Sequence, residues 1–138
     1  MAPRSMDRLF LDANVLFSAA YRPNAGLLHF WKLKDVVLCS SRYAFEEARV
    51  NLSEESQRDR LARLAGAIQF FEVNPRELPR GIVLPDKDVP ILLSAMEAQA
   101  THLITGDVRH FGVYFGRIIQ GILVQPPADY LEKRSSRR

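Results

Sequence analysis

The chain is poor in cysteine: Cys39 is the one thiol among 138 residues. An internal disulfide and a cysteine-rich metal centre are thereby excluded. Cys39 closes the apolar run Val36-Val37-Leu38-Cys39 and reads as a buried structural thiol. A reducing compartment is compatible with this, and a cytoplasmic location is expected. Long apolar runs are also missing; none approaches the roughly 18 residues that span a bilayer. The first residues lack the apolar stretch of a signal peptide. Charge of one sign is not in large excess, since the formal net charge is +3. Much of the basic surplus falls in Lys133-Arg134-Ser135-Ser136-Arg137-Arg138. That run reads as a solvated tail, with attraction of phosphate as its functional alternative. What remains is ordinary for a globular chain, 47% hydrophobic and 25% charged. One domain is expected over residues 1–138, with its core at about 7–132 and flexible tails at 1–6 and 133–138.

Apolar runs and helical patterns alternate along the chain. Arg8 to Leu11 reads as a buried strand, followed by a short helix over Asn14 to Ala20. Tyr21-Arg22-Pro23-Asn24 breaks it. Ala25 to Lys34 reads as a second helix; its Phe30 and Trp31 read as core, with an interface anchor as the alternative. Val36 to Cys39 is a strand, and Ser40 or Ser41 can cap a helix from Arg42 to about Asn51. A helix from Ser53 to about Ala67 and a strand over Gln69 to Val73 come next. After a Pro-rich connection, Pro90 to Ala100 is a helix with Pro in its first turn. Leu103 to Thr105 and part of Ile118 to Val124 are strands, and Pro126 to Lys133 closes as a helix. The alternation predicts an α/β fold: a three-layer α/β/α sandwich around a mainly parallel sheet of four to five strands.

The acids stand where such a sheet places a ligand crevice, outside the carboxyl ends of its strands. Asp12 follows the first strand and Asp107 follows Thr105-Gly106 after a late one. Asp88 precedes the Pro90 helix, where capping is its bland role. Helix spacing separates Glu46 from Glu47. Neighbours lie three and four residues apart, so Glu46 meets Arg42 and Arg49 and reads as surface. Glu47 meets Tyr43, Ala44, Val50 and Asn51, with no cation along the helix. It therefore needs a partner from elsewhere and is assigned to the site. Like charges held close together repel unless a cation joins them. A hard divalent ion such as Mg²⁺ takes oxygen ligands and can bring a phosphodiester with it.

In order and spacing these pieces resemble the PIN-domain family, which includes VapC-like toxin ribonucleases and related PIN nucleases. The resemblance rests on Leu11-Asp12-Ala13-Asn14-Val15-Leu16, on Ser41 to Leu52 with Glu47, on Asp88 to Met96, and on Leu103-Ile104-Thr105-Gly106-Asp107-Val108-Arg109-His110-Phe111. It implies a metal-dependent endoribonuclease that hydrolyses RNA with Mg²⁺ or Mn²⁺, a homodimer, and an antitoxin as possible partner. Carried over, Asp12, Glu47, Asp88 and Asp107 form the catalytic acids, with Asp12, Asp88 and Asp107 on the metal. Asn14 is expected to hold Asp12 in place. Thr105 is expected either to reach a metal water or the scissile phosphate, or to be a plain strand-end threonine. Arg109 is a candidate phosphate contact. Family members often carry a further acid after Thr-Gly-Asp; Arg109 and His110 stand there instead, and His110 reads as structural, with a metal ligand as the alternative, its imidazole unusual for Mg²⁺ though not for Mn²⁺.

Rival chemistries fit less well. A phosphatase with an aspartyl nucleophile needs a second acid two residues after the first, and Asn14 occupies that place. A phospho-receiver needs a lysine after a late strand, and Ile118 to Val124 has none. The alternative of a different class is a non-catalytic PIN-like module that binds RNA or a protein.

Overall fold

The computed structural model describes residues 6–136. The expectations for residues 1–5 and 137–138 lie outside that range. Strand β1 (Asp7–Leu11) forms where the sequence is most apolar; Leu9, Phe10 and Leu11 are all fully buried. Helix α1 (Ala13–Ala20), a 3₁₀ segment (Gly26–Lys32), β2 (Val36–Ser40), α2 (Arg42–Asn51) and α3 (Glu55–Ala65) follow. Then come β3 (Ile68–Phe70), α4 (Val89–Glu97), β4 (His102–Ile104), α5 (Val108–Phe111), β5 (Ile118–Ile119), β6 (Ile122–Gln125) and α6 (Pro127–Ser136).

The strands lie in the order β3-β2-β1-β4-β6-β5, and helices flank the sheet in a three-layer sandwich. Every pairing is parallel except β5 with β6. The sheet thus has six strands where four to five are expected. The additional one comes from a hairpin inside Ile118 to Val124. Its turn, Gln120-Gly121, has φ of 50° and 81°, the left-handed pair of a two-residue hairpin loop that glycine tolerates. From β1 the order runs one way to β2 and β3 and the other way to β4 and β6. The β1–β4 seam is therefore the switch point of the sheet, where a crevice opens.

Three other expectations change. Ala25 to Lys34 is tighter than an α-helix, a 3₁₀ segment over Gly26–Lys32. Its Phe30 is buried, and Trp31 Nε1 donates to Leu64 O at 3.0 Å, so both aromatics serve the fold. Residues 133–136 continue α6 rather than fraying. Within them Arg134 donates to the Lys34 carbonyl and lies 4.0 Å from Asp7 Oδ2, so it is tied to the body of the protein. The Ser53 helix begins later, at Glu55, because Glu54 and Gln57 close a reciprocal capping box. Among the described residues no helix is long and apolar enough to cross a membrane.

Candidate metal centre

Register brings the first and last acids together. Leu11 pairs with Ile104, and Asp12 N donates to Ile104 O at 3.0 Å, so Asp12 leaves the sheet beside Thr105. Asp12 is buried and caps α1, its Oδ1 accepting from Ala13 N at 2.6 Å. Its Oδ2 accepts from Thr105 Oγ1 at 2.8 Å and from Asn14 Nδ2 at 3.1 Å. Asn14 completes the clasp across the seam, its Oδ1 accepting from Gly106 N at 2.7 Å. A Cβ at Gly106 would stand 3.3 Å from that oxygen, so glycine is what allows the close approach. Burial pushes the Asp12 carboxyl up to about 6, against hydrogen bonds from Thr105 and Ala13 that lower it; the charges of Glu47 and Asp88 raise it further.

Thr105 lies between the two strand-end acids. It is fully buried, its proton goes to Asp12, and its oxygen accepts from Asp107 N at 3.1 Å. It ties two of the acids together.

Asp107 begins α5, with Oδ1 accepting from His110 N at 3.1 Å. This turn sets the His110 ring against the other carboxylate oxygen, with Nδ1 3.0 Å from Asp107 Oδ2. The same Nδ1 lies 3.0 Å from Asp88 Oδ2. Asp88 stands at the start of α4 but does not cap it. Pro90, in the first turn, has no N–H to offer a capping carboxylate. The side chain is left for the site: only 6% exposed, with Oδ2 buried and without a hydrogen-bond partner. Burial, then the Asp107 charge, raises the Asp88 carboxyl, while Lys87, 3.9 Å from Oδ1, and His110 lower it.

Ligand atoms of Asp88, Asp107 and His110 lie within 4.8 Å of one another. Two carboxylates and an imidazole, with an orphaned buried oxygen among them, are a donor set that fits a divalent cation. The sequence favours a structural His110 and leaves ligation as its alternative; the structure sets the ring beside Asp88 and Asp107. The signal was the Asp-x-x-His spacing, which a capping turn converts into side-by-side side chains.

Glu47 is half-buried and flanks the acids from α2, lining a cavity of about 460 Å³ with Asn14, Phe17 and Asn51 beside it. Its charge reaches Asp12, but it stands outside the compact Asp88–Asp107–His110 group. Glu46 faces away and forms the exposed pair with Arg49 at 2.8 Å. Tyr43, a residue the sequence reading did not single out for the site, spans α2 and the Asp88 turn by donating to Lys87 O at 2.6 Å. Burial raises its hydroxyl, and the charges of Glu47, Asp88 and Asp12 add to that. Arg109 is exposed on α5.

A parallel sheet with buried acids at its switch point defines an α/β protein built around a cation-ready pocket. The family model described as the PIN domain matches residues 8–109, and the chain belongs to that family. In structure it is similar to a chain in the crystal structure of VapBC2 from Rickettsia felis bound to a DNA fragment from their promoter. The TM-score is 0.64 at 15% identity, over 86% of this chain and 98% of that one. No curated protein matches the sequence.

Proposed function

We propose that this chain is a divalent-metal-dependent endoribonuclease that hydrolyses RNA phosphodiester bonds at the β1–β4 seam. The observation that carries the reading is Asp88 Oδ2, a buried carboxylate oxygen with no hydrogen-bond partner, facing Asp107 and His110. Leaving such a group unpaired is costly, and a cation relieves it. Asp88 and Asp107 would hold the ion, Mg²⁺ or Mn²⁺, with Asp12 beside them. When bound, such an ion polarises a phosphoryl oxygen and lowers the pKa of water.

The chain's own residues supply the rest. Thr105 and Asn14 keep Asp12 in one orientation, so no reorganisation is needed when substrate arrives. Glu47, which lines its cavity beside Asn14, would orient a water and accept its proton. Exposed Lys87, 3.9 Å from Asp88 Oδ1, and exposed Arg109 on α5 would meet phosphate. Attack at phosphorus is in line, without a covalent enzyme intermediate. The finer reading is the toxin of a type II toxin–antitoxin pair, acting on RNA as a homodimer with an antitoxin as its protein partner. Membership of the PIN domain family and the likeness in fold to a VapBC2 chain support it.

The test is incubation of purified protein with labelled total RNA in Mg²⁺, Mn²⁺ or EDTA, beside an Asp12→Asn, Asp107→Asn double variant. Metal-dependent cleavage that disappears in the variant is expected. Folded protein that binds RNA but cuts none of it under either metal would favour the non-catalytic module.

A further inference from the structure

We propose that His110 is a nitrogen ligand of this centre and biases it towards a first-row transition ion over Mg²⁺. The inference deepens the proposed function and rests on it. Its basis is the geometry of one ring nitrogen. His110 Nδ1 stands 3.0 Å from Asp107 Oδ2 and 3.0 Å from Asp88 Oδ2. A ring nitrogen carries one proton at most. The hydrogen bond goes to Asp107, and Asp88 Oδ2 stays unpartnered within a side chain that is only 6% exposed. The position is thus over-supplied with acceptors and short of a positive charge. One cation among the three groups would satisfy both carboxylates and take the Nδ1 lone pair, with the ring's proton carried on Nε2 instead.

The backbone holds the ring there independently of any ion. Asp107 Oδ1 accepts from His110 N at 3.1 Å, which fixes the turn of α5. Phe111, the next residue, is fully buried and anchors that turn in the core. The nitrogen is therefore built into the site. Its presence changes the ion the site prefers. Mg²⁺ is hard, favours oxygen, and gives up water reluctantly. Imidazole suits transition ions, whose affinities for nitrogen and oxygen sites rise from Mn²⁺ to Cu²⁺. A neutral nitrogen in place of another carboxylate also withholds the extra negative charge that a hard ion exploits.

Mn²⁺ is the probe. The full chain is titrated with Mn²⁺ and competed with Mg²⁺, and the Mn²⁺-loaded protein is examined by electron spin-echo spectroscopy for coupling to ¹⁴N. Wild type is expected to show imidazole nitrogen coupling. His110→Asp is expected to lose it, retain Mg²⁺ binding, and lower the Mn²⁺-over-Mg²⁺ affinity ratio by on the order of 10- to 100-fold. Bound Mn²⁺ without nitrogen coupling in wild type would overturn the inference and leave the metal centre standing. So would an unchanged ratio in a folded His110→Asp protein. Folded wild type that binds neither ion would overturn the inference together with the reading beneath it. If His110→Asp does not fold, the wild-type spin-echo result decides alone.

Discussion

The two halves of the acidic site are built on opposite principles. Around Asp12 the hydrogen bonds close: Thr105, Asn14 and the Ala13 amide occupy both of its oxygens, and Gly106 and Asp107 amides complete the set. Around Asp88 they do not: one ring nitrogen serves two carboxylates and an oxygen is left over. A closed network fixes geometry, whereas an open one stores demand for a ligand. On the proposed reading, the task of placing an acid is separate from that of attracting a cation. The fold sets the two on neighbouring elements of one seam.

The largest expected effect comes from removing the Asp12 charge. A rise of its carboxyl from 3.8 to about 6 corresponds to about 3 kcal/mol against the ionised folded state. This acid favours the fold fully below 3.8, and that contribution is lost as pH rises through about 6. Metal-free Asp12→Asn should therefore melt higher than wild type at pH 7.5 and show no such gain at pH 3.5. Calorimetric scans at the two values check this; a gain of the same size at both would remove the electrostatic explanation. Ions added to wild type should raise its melting temperature more at pH 7.5 than at pH 5.

Thr105→Val attacks the closed half directly. It strips a donor from Asp12 and an acceptor from the Asp107 amide at a fully buried position, costing about 1–3 kcal/mol. Urea unfolding should report it, and an unchanged midpoint would mean that the network is dispensable. Tyr43→Phe removes the bond to the Lys87 carbonyl that tethers the Asp88 turn, an expected loss of about 0.5–1.5 kcal/mol. The smallest effect sharpens the contrast between adjacent glutamates. Glu46→Gln, in an exposed pair, should leave unfolding and RNA cleavage unaltered. Glu47→Gln should lower the cleavage rate without moving the unfolding midpoint. Equal rates for the two variants would remove Glu47 from the proposed chemistry.

The closed half was the more legible in the sequence. Asp12 and Asp107 follow short apolar strands, and a parallel sheet brings such strand ends to one edge. The assignment of Asn14 to Asp12 needed only a spacing of two residues. The open half was harder because its residues carry plausible local duties. Asp88 stands where a cap belongs, yet its side chain makes no capping bond, its backbone being helical where a capping residue is extended. His110 depends on α5, four residues long and too short to leave a periodic pattern. The hairpin of β5 and β6 was partly hidden for a similar reason. Gln120-Gly121 is not the Asn-Gly or Asp-Gly pair that announces such a turn, so two strands read as one. The 3₁₀ segment after α1 has the apolar residues of a helix; its tighter winding left no mark in their spacing.

The hairpin has a bearing on how the protein can keep company. The sheet ends on β3, three residues long, at one margin and on β5, two residues long, at the other. Margins so brief expose few free peptide groups to a passing chain. The sheet is thereby closed to extension, and an extended segment finds little along which to align. A protein partner of the kind proposed above would then meet helices and loops, whose side chains discriminate far better than bare backbone does.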